Sequence, residues 1–360
     1  MVNYSKLFDY ARNFYTDLSY NNKYGQALIP MRYFFELTYR CNLNCPYCYI
    51  GDERKKNELT KEEWFKVINQ IPFYSIVTLV GGEPLLRKDF PEILNYLSKK
   101  ILNKTHVVSN GILINDEIIK EFIRSKLMLL SVSLDGYGHV HDKNRGKEGI
   151  FDKIINNLEN LNKESRRPMI DIKTIVLEDN MDSLPKLYKL CQDMNFNFFS
   201  ISFLRNNNLK QNAVLSEGFN PEFVKNYPIE PYFDIEHFKE IYKELETMSK
   251  NSNVKIRFSP KFEYSKNPLE TIEKFFSLSS ETPITDIYKP CKYPHTNMMI
   301  NPAGDIYPCL SMKIGNVKEN TIKELFNKPA YCCFRKNLKA SGGTFGACQM
   351  CCELEPKENL

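Results

Sequence analysis

Strand-like and helix-like segments alternate between residues 32 and 204 of this 360-residue chain, and this alternation restricts its fold more than any other feature. The segments of strand character are 32–39, 75–80, 105–110, 127–134, 169–177 and 198–204. The segments with helical periodicity are 59–70, 90–100, 115–125, 150–163 and 183–194. The pattern predicts an α/β fold with a parallel sheet, closed or partly closed into a barrel. Active sites of such folds gather at the carboxyl ends of the strands.

The remainder of the chain has a different pattern. Residues 205–290 begin with a polar stretch and continue with a predicted helix at 235–250, a short strand at 254–258 and a helix at 269–278. The aromatic, proline-bearing segment 219–233 is expected to cover the barrel mouth. The C-terminal part of the chain is rich in cysteine and predicts only short elements.

Composition and charge exclude several classes of protein. Hydrophobic residues make up 42% of the chain and charged residues 26%, as in a globular protein. The formal net charge of +5 is dispersed along the sequence, so it does not predict a nucleic-acid-binding stripe. No segment approaches the ~20 consecutive apolar residues of a membrane span, and the start lacks the pattern of a signal peptide. We therefore expect a cytoplasmic protein that binds neither nucleic acid nor membrane.

Cysteine is the most informative residue type. The chain has eleven cysteines, of which ten fall into two groups: three near the start, and seven from Cys291 to Cys352. Only Cys191 is isolated, inside a predicted helix, where it is expected to be a small buried hydrophobe. Because a cytosolic protein keeps its thiols reduced, the clustered cysteines indicate metal binding rather than disulfides.

The first group, Cys41, Cys45 and Cys48, has the spacing C-x3-C-x2-C and follows the first predicted strand. Three thiolates on one loop can bind three corners of a cubane iron–sulfur cluster and leave the fourth iron open. A structural zinc site would need a fourth ligand close at hand, and neither His nor Cys follows nearby. Zinc binding or simple packing remains the alternative interpretation of this loop.

With an aromatic residue before its last cysteine, this loop resembles the C-x3-C-x-aromatic-C motif of the radical S-adenosylmethionine (SAM) superfamily, and the resemblance covers residues 32–204. It implies that the three cysteines hold a [4Fe–4S] cluster whose open iron binds the amino and carboxylate groups of SAM. In that family the reduced cluster cleaves SAM to methionine and a 5′-deoxyadenosyl radical, which abstracts a hydrogen from the substrate. The hard chemistry then belongs to the cofactor.

Further motifs at predicted strand ends resemble the SAM-binding segments of the same family. Gly81, Gly82, Glu83 and Pro84 resemble its GGEP motif, which implies that backbone and Glu83 bind the SAM amino group. Independently of the family, glycines at a strand end let the backbone approach a ligand closely. The segment that begins with Ser109 and Asn110 resembles the family's TNG segment, with Ser in place of Thr.

The fourth predicted strand ends in a segment that resembles the family's SLDG, and it contains Ser133 and Asp135. A segment resembling H-D-x-x-R-G follows, from His141 to Gly146. By this resemblance Ser133 and Arg145 hold the SAM carboxylate, the arginine through charge-assisted hydrogen bonds. Asp135 could instead satisfy a turn, and His141 is either a proton-transfer group or, more in keeping with its setting, a structural residue.

The second cysteine group contains four candidate metal ligands, Cys291, Cys309, Cys348 and Cys351. Residues 301–309 predict a β-hairpin with its turn at Ala303-Gly304. Four thiols suit either zinc or an iron–sulfur cluster. The hairpin and the segment 314–317 resemble the SPASM and twitch domains of radical SAM enzymes, which implies one auxiliary [4Fe–4S] cluster. The remaining cysteines of the group, Cys332, Cys333 and Cys352, could replace a ligand or be packing residues.

These observations predict a partial (β/α)6 TIM-like barrel with a small C-terminal cysteine-rich, twitch/SPASM-like domain. The expected organisation is an N-terminal helical extension (1–30), a radical SAM core barrel (31–235), connecting helices (236–285) and an auxiliary cluster domain (286–360). The apolar pattern of the extension indicates a helix packed on the barrel.

The expected function is radical SAM chemistry that ends in a net oxidation or cross-link on a peptide or protein side chain. If four thiolates occupy all four irons, the auxiliary cluster would act as an electron conduit. Flavodoxin or ferredoxin is the expected type of electron donor. The alternatives are a dehydrogenase or epimerase of a small molecule such as a sugar or alcohol, and a non-catalytic, zinc-stabilised binding protein.

Overall fold

The computed structural model describes residues 4–48, 50, 57–102, 104–204, 232–277, 284–307, 309, 313–345, 348 and 351–357, with side chains from residue 12 onward. The expected cover of the barrel mouth, 219–233, lies almost wholly outside these residues. Within the part of the chain that the structure describes, no helix has both the length and the apolar character needed to cross a membrane.

Ten strands form one sheet in the order β10-β9-β8-β1-β2-β3-β4-β5-β6-β7. The strands are β1 Arg32–Thr38, β2 Ile76–Gly81, β3 Thr105–Ser109, β4 Leu129–Ser133, β5 Met169–Val176, β6 Phe198–Phe203, β7 Lys255–Ser259, β8 Asn297–Ile300, β9 Asp305–Tyr307 and β10 Gly315–Asn316. Strands β1 to β7 pair in parallel with their neighbours, and β8 adds in parallel to the outer edge of β1. Strands β9 and β10 pair antiparallel.

Most of the helices connect successive parallel strands, as the sequence predicts, while the first precedes β1 and the last two follow β10. They are α1 Tyr4–Tyr20, α2 Lys61–Asn69, α3 Phe90–Lys100, α4 Asp116–Arg124, α5 His139–Arg145, α6 Ile150–Asn162, α7 Leu184–Asp193, α8 Ile235–Ser249, α9 Pro268–Phe276, α10 Ile322–Phe326 and α11 Pro329–Ala340. Helix α2 begins with a capping box, in which Thr60 and Glu63 satisfy each other's backbone amides. The α/β prediction is therefore confirmed.

Two features extend the predicted six-stranded sheet. The short strand expected at 254–258 forms as β7 and joins the parallel sheet beside β6. The hairpin predicted around Ala303-Gly304 also forms, with Gly304 at a φ of +90° in its turn. Because β8 pairs directly with β1, the C-terminal hairpin continues the barrel sheet instead of standing apart from it.

The two faces of the sheet have different surroundings. On β1, Tyr33 and Phe35 are fully buried, and Phe35 packs against Trp64 of α2 at 5.2 Å between ring centroids. The alternate residues of each strand point to the opposite face, which is the barrel lumen, since side chains alternate along a strand. Helix α1 contacts the segment that precedes β1 through Tyr15, whose hydroxyl donates to the Ile29 carbonyl at 2.6 Å.

Candidate functional site

The first cysteine group lies in the loop after β1, at the carboxyl edge of the sheet. Cys41, Cys45 and Cys48 are free and partly exposed, and the Cys48 amide donates to the Cys45 carbonyl at 3.1 Å. Burial raises the pKa of the Cys41 and Cys45 thiols above its ordinary value. Because metals bind the thiolate, loading iron into this loop would release protons.

The glycines that end β2 hold this loop in place. The Gly82 amide donates to the Thr38 carbonyl at 2.7 Å, and the Glu83 amide donates to the Arg40 carbonyl at 2.8 Å. A Cβ added at Gly82 would lie 2.3 Å from the Arg40 carbonyl oxygen. The close approach predicted for these glycines is therefore made, within the described residues, to the backbone of the cysteine loop.

Glu83 joins the end of β2 to the end of β3. Its side chain is fully buried and accepts hydrogen bonds from the Ser109 hydroxyl at 2.9 Å and the backbone amides of Asn110 at 2.7 Å and Leu85 at 3.1 Å. Burial raises the pKa of this carboxyl to about 7, against the opposing effect of those hydrogen bonds. Pro84 begins the short 3-10 turn that follows.

Asn110 connects β3 to the first cysteine. Its side-chain Nδ2 donates to Asn42 Oδ1 at 2.7 Å and lies 3.9 Å from Cys41 Sγ. Sequence reasoning did not single out Asn42, whose only signal is its position inside the cysteine motif. The pair places an N–H donor beside a sulfur, an arrangement that tunes iron–sulfur sites.

Asp135 and Arg145 form a second connection, to the middle cysteine. The buried Asp135 carboxylate pairs with the Arg145 guanidinium at 2.5 Å and also accepts from the Tyr47 hydroxyl at 2.6 Å and the Ile175 amide at 2.8 Å. Arg145 Nη1 lies 3.9 Å from Cys45 Sγ. Asp135 is therefore satisfied by protein groups, while the buried Arg145 Nε has no hydrogen-bond partner among the described residues.

His141 has the surroundings of a structural residue. It is almost fully buried, and its Nδ1 accepts from the Asp135 amide at 3.1 Å. Burial lowers the pKa of the imidazole to about 4, so the ring is neutral near pH 7. A neutral ring engaged with the backbone fixes the turn that carries Asp135.

The residues at the edge fit a cluster and SAM. Two of the three cysteines have nitrogen donors beside them, and Ser133, at the end of β4, makes no side-chain hydrogen bond among the described residues. Ser133 and Arg145 Nε thus leave polar atoms open for a carboxylate. In this part of the chain, no trio of His, Cys, Asp or Glu side chains already stands at metal-binding distances.

Three of the predicted auxiliary ligands lie close together. Burial raises the pKa of Cys291 and Cys348, and the neighbouring Cys309 raises both further, that of Cys348 to about 12. The Cys291 amide donates to the Gly343 carbonyl at 3.0 Å, which joins the two segments that carry these cysteines. The Cys351 amide donates to the Cys348 carbonyl at 2.8 Å.

The described contacts of Cys332 and Cys352, two further cysteines of the second group, are with residues close to them in sequence. Cys332 and Cys333 lie on α11, where the Cys332 thiol donates to the Asn327 carbonyl at 3.5 Å and Cys333 is exposed. Cys352 lies 3.9 Å from a carboxylate oxygen of Glu353. Cys191 is fully buried in α7, as the sequence predicts.

Two protein families match this chain, in the order in which the two cysteine groups occur. Residues 35–191 match the radical SAM superfamily, and residues 291–352 match the SPASM family, described as an iron–sulfur cluster-binding domain. The second match favours iron–sulfur over zinc at the C-terminal cysteines.

Individual relatives differ in how much of the chain they match. Fe-coproporphyrin III synthase of Methanosarcina barkeri is 31% identical over 44% of this chain and 40% of its own length. PqqA peptide cyclase of Granulibacter bethesdensis is 28% identical over 46% of this chain and 45% of its own length. This chain thus spans less than half of either relative. AdoMet-dependent heme synthase of Methanosarcina barkeri is 26% identical over 88% of this chain and 87% of its own length.

The fold is also shared with solved structures. Streptococcus suis SuiB bound to the precursor peptide SuiA superposes with a TM-score of 0.64, covers 98% of this chain and 77% of that chain, and is 19% identical. At that identity the likeness concerns the fold. The chain belongs to the radical SAM superfamily and carries a SPASM domain, and these two domains imply SAM, a [4Fe–4S] cluster and auxiliary iron–sulfur binding.

Proposed function

We propose that this radical SAM enzyme abstracts hydrogen from a side chain of a peptide or protein, with net oxidation or cross-linking as the outcome. The observation that carries the radical SAM part is the convergence of three strand ends on the cysteine loop. Asn110 reaches Cys41, and Arg145 reaches Cys45, across 69 and 100 residues of sequence separation respectively. The peptide part is supported by the relative named PqqA peptide cyclase.

In this proposal each residue at the edge has a separate part. Cys41, Cys45 and Cys48 would hold the cluster, which when bound would supply the electron for cleavage of SAM. Ser133 and Arg145 bind the SAM carboxylate; the support is that the Ser133 hydroxyl and the buried Arg145 Nε have no hydrogen-bond partner among the described residues.

Glu83, which the family motif relates to the SAM amino group, has no exposed surface. We therefore assign it to holding Ser109 and Asn110 in position below the ligand. Its carboxylate would still contribute negative charge beneath the SAM amino group when it is ionised.

The auxiliary cluster is assigned to Cys291, Cys309, Cys348 and Cys351, which would complete all four irons. A fully coordinated cluster has no site for substrate, so it would serve as an electron conduit. An external electron donor such as flavodoxin or ferredoxin would supply the first electron. Cys332 and Cys333 are not assigned as ligands of this cluster, because their described contacts on α11 are with other groups.

Anaerobic reconstitution tests the assignment. We expect about eight irons per chain and formation of 5′-deoxyadenosine from SAM after reduction with dithionite. About four irons with one zinc would retain the SAM chemistry and remove the electron conduit. An intact protein that binds no iron and cleaves no SAM would refute the proposed function.

A small-molecule substrate is the second candidate, because the heme synthase relative aligns with 88% of this chain. The two candidates are separated by asking which compound stimulates 5′-deoxyadenosine formation by the reconstituted enzyme. A pool of synthetic peptides of random sequence and iron coproporphyrin III are the two probes. Stimulation by the peptide pool alone supports the proposal, and stimulation by the porphyrin alone contradicts it.

A further inference from the structure

The lumen of the barrel is charged, although barrel interiors are usually filled by Val, Ile and Leu. The residues that pack under the helices, such as Phe35, are apolar. On the opposite face, alternate strands β1, β3, β5 and β7 contribute four basic or titratable side chains, namely Arg32, His106, Lys173 and Arg257. A charged lumen is costly to bury unless something binds the charges.

The buried ring of His106 lies on the same face of the sheet as the three cations. Burial lowers the pKa of His106 well below its ordinary value, and the charges of Lys173, Arg32 and Arg257 lower it further. Arg32 has a partner in Glu353, at 3.8 Å, and this leaves the other two cations to be accounted for.

The acidic groups on the lumen side are already engaged. The Asp171 carboxylate accepts from the Ser131 hydroxyl at 2.7 Å and from the Ser200 hydroxyl at 2.6 Å. Glu36, near the cysteine loop, accepts from the Tyr39 hydroxyl at 3.4 Å. Neither carboxylate forms an ion pair with Lys173 among the described residues.

Lys173 and Arg257 make no hydrogen bond or ion pair in the part of the chain that the structure describes. Both are half-buried, and the Arg257 guanidinium lies over the ring of Phe198 at 3.2 Å from its centroid. Asp171 and then Glu263 are the acidic neighbours of Arg257. Neither forms an ion pair with it among the described residues, and the Glu263 carboxylate accepts from the Phe258 amide at 2.9 Å. The two cations thus have donors to offer to a ligand.

The strand register places these cations beside the proposed SAM site. Ser133 lies directly opposite Lys173, Lys173 opposite Ser200, and Ser200 opposite Arg257, on the successive strands β4 to β7. Neighbouring strands are about 4.8 Å apart. Lys173 is therefore one strand from Ser133, and Arg257 is three strands from it, on the side away from the cysteine loop.

We propose that Lys173 and Arg257 form a subsite that binds a carboxylate of the substrate inside the barrel lumen. The inference rests on the proposed function, because it gives the hydrogen-donating substrate an acidic group. A guanidinium can bind a carboxylate through two parallel hydrogen bonds, and the ammonium group adds a second positive charge. An aspartate, a glutamate or the carboxyl terminus of a peptide supplies such a group.

The test is binding of succinate to the full-length, anaerobically reconstituted enzyme, measured by calorimetry at constant ionic strength with succinamide as the uncharged probe. We expect succinate to bind and succinamide not to bind. The variants Lys173→Met and Arg257→Met should each weaken succinate binding by about 10-fold or more, as expected for loss of one charge-assisted contact. Lys173→Arg and Arg257→Lys, which keep the charge, should each weaken binding less than the corresponding Met variant, although Arg257→Lys loses the paired hydrogen bonds of the guanidinium.

Lys186→Met is the matched control, because it removes an exposed lysine of α7 and should leave succinate binding unchanged. Iron content and thermal midpoint of each variant, measured without succinate, report whether it folds. Equal binding of succinamide, or succinate binding that both Met variants retain, would overturn the proposal.

Two further arms identify the source of the carboxylate. If saturation with SAM abolishes succinate binding, the subsite belongs to the carboxylate of SAM, and the proposal fails. If inorganic phosphate binds more than about 10-fold tighter than succinate, the carboxylate assignment fails. Formation of 5′-deoxyadenosine is measured separately, so an enzyme that binds succinate but cleaves no SAM refutes the proposed function and not the subsite.

Discussion

The two cysteine sites of this molecule are held in different ways. At the carboxyl edge of the barrel, side chains from distant strands contact the cysteines, as Asn110 does with Cys41 and Arg145 with Cys45. At the C-terminal site, Cys348 and Cys351 are joined by a backbone hydrogen bond. The barrel strands thus bring nitrogen donors to the first site from distant parts of the sequence. The backbone hydrogen bonds described at the second site instead stay within the C-terminal region.

Removal of each cysteine set should give the largest difference between the two sites. Replacement of Cys41, Cys45 and Cys48 by Ala should abolish 5′-deoxyadenosine formation and lower iron from about eight to about four per chain. Replacement of the four auxiliary cysteines should also leave about four irons, but SAM cleavage should persist while product formation fails. Iron analysis and the two assays check these outcomes.

Cys333→Ser is the control for the cysteine sets, because Cys333 is exposed on α11 and should not affect iron content. If the auxiliary variant lost SAM cleavage together with product, the two sites would not be separable, and the electron-conduit role would need a different test. If the first triple variant still formed 5′-deoxyadenosine, the ligand assignment at the barrel edge would be wrong.

The buried ion pair between Arg145 and Asp135 should account for much of the rigidity of the first site. Arg145→Met leaves the fully buried Asp135 carboxylate without its cation. Breaking one partner of a buried pair costs about 3 kcal/mol or more, which for a chain of this length corresponds to a thermal midpoint lower by about 4 °C or more. Anaerobic thermal unfolding of the reconstituted protein checks this expectation.

The matched control for this pair is Lys189→Met, which breaks the exposed pair between Lys189 and Asp193. Exposed pairs contribute well under about 1 kcal/mol, so its midpoint should hardly change. Equal, small effects of both substitutions would show that the Arg145 pair does not stabilise the barrel edge.

The pH dependence of stability should report on His141, which fixes the turn below the same edge. Its folded-state pKa is lowered to about 4, so protonation favours the unfolded chain. The stabilising contribution is complete above the ordinary pKa of 6.5 and is lost as the pH falls toward 4. By pH 4.5 the loss amounts to about 2 kcal/mol.

His141→Asn keeps an acceptor for the Asp135 amide but cannot be protonated in this range, so its stability should fall less between pH 7 and pH 4.5. Unfolding measured at both pH values gives the difference from wild type, in which the contributions of the other titrating groups cancel. His139→Asn, an exposed position on the same helix, should follow the wild-type profile. A His141→Asn profile parallel to wild type would contradict the assignment.

The sequence predicted where the strands of the barrel end better than it predicted the side-chain contacts between those strand ends. Local signals were enough for the strand ends and for the turn at Gly304, because each depends on a few neighbouring residues. The hydrogen bonds from Ser109 and Asn110 to the Glu83 carboxylate could not be predicted, because they depend on which strands are neighbours and on the register between them.

The same limit applies to the lumen and to the C-terminal hairpin. Strand periodicity assigns Lys173 and Arg257 to a face, but only the register places them in one row beside Ser133. The pairing of β8 with β1 joins residues about 265 positions apart, as in Arg32 opposite Asn297. No local pattern encodes such a contact.

The smallest predicted effect concerns whether the barrel and the C-terminal region unfold together. The sequence predicts a separate auxiliary domain from residue 286, yet β8 joins the barrel sheet, and the Ile322 amide of α10 donates to Gln70 at the end of α2 at 2.8 Å. Both helices begin with a capping box, at Thr60 and at Thr321. Thr60→Ala and Thr321→Ala should each cost about 1 kcal/mol.

If the regions form one cooperative unit, both substitutions lower the midpoint of the same single thermal transition by about 1 °C. Thr247→Ala is the control, because this exposed threonine lies within α8 and caps no helix N-terminus. Two transitions, with Thr321→Ala moving only one of them, would show instead that the C-terminal region unfolds independently. Shared sheet hydrogen bonds between β1 and β8 favour the single transition, because melting either region would leave the other with an unpaired strand edge.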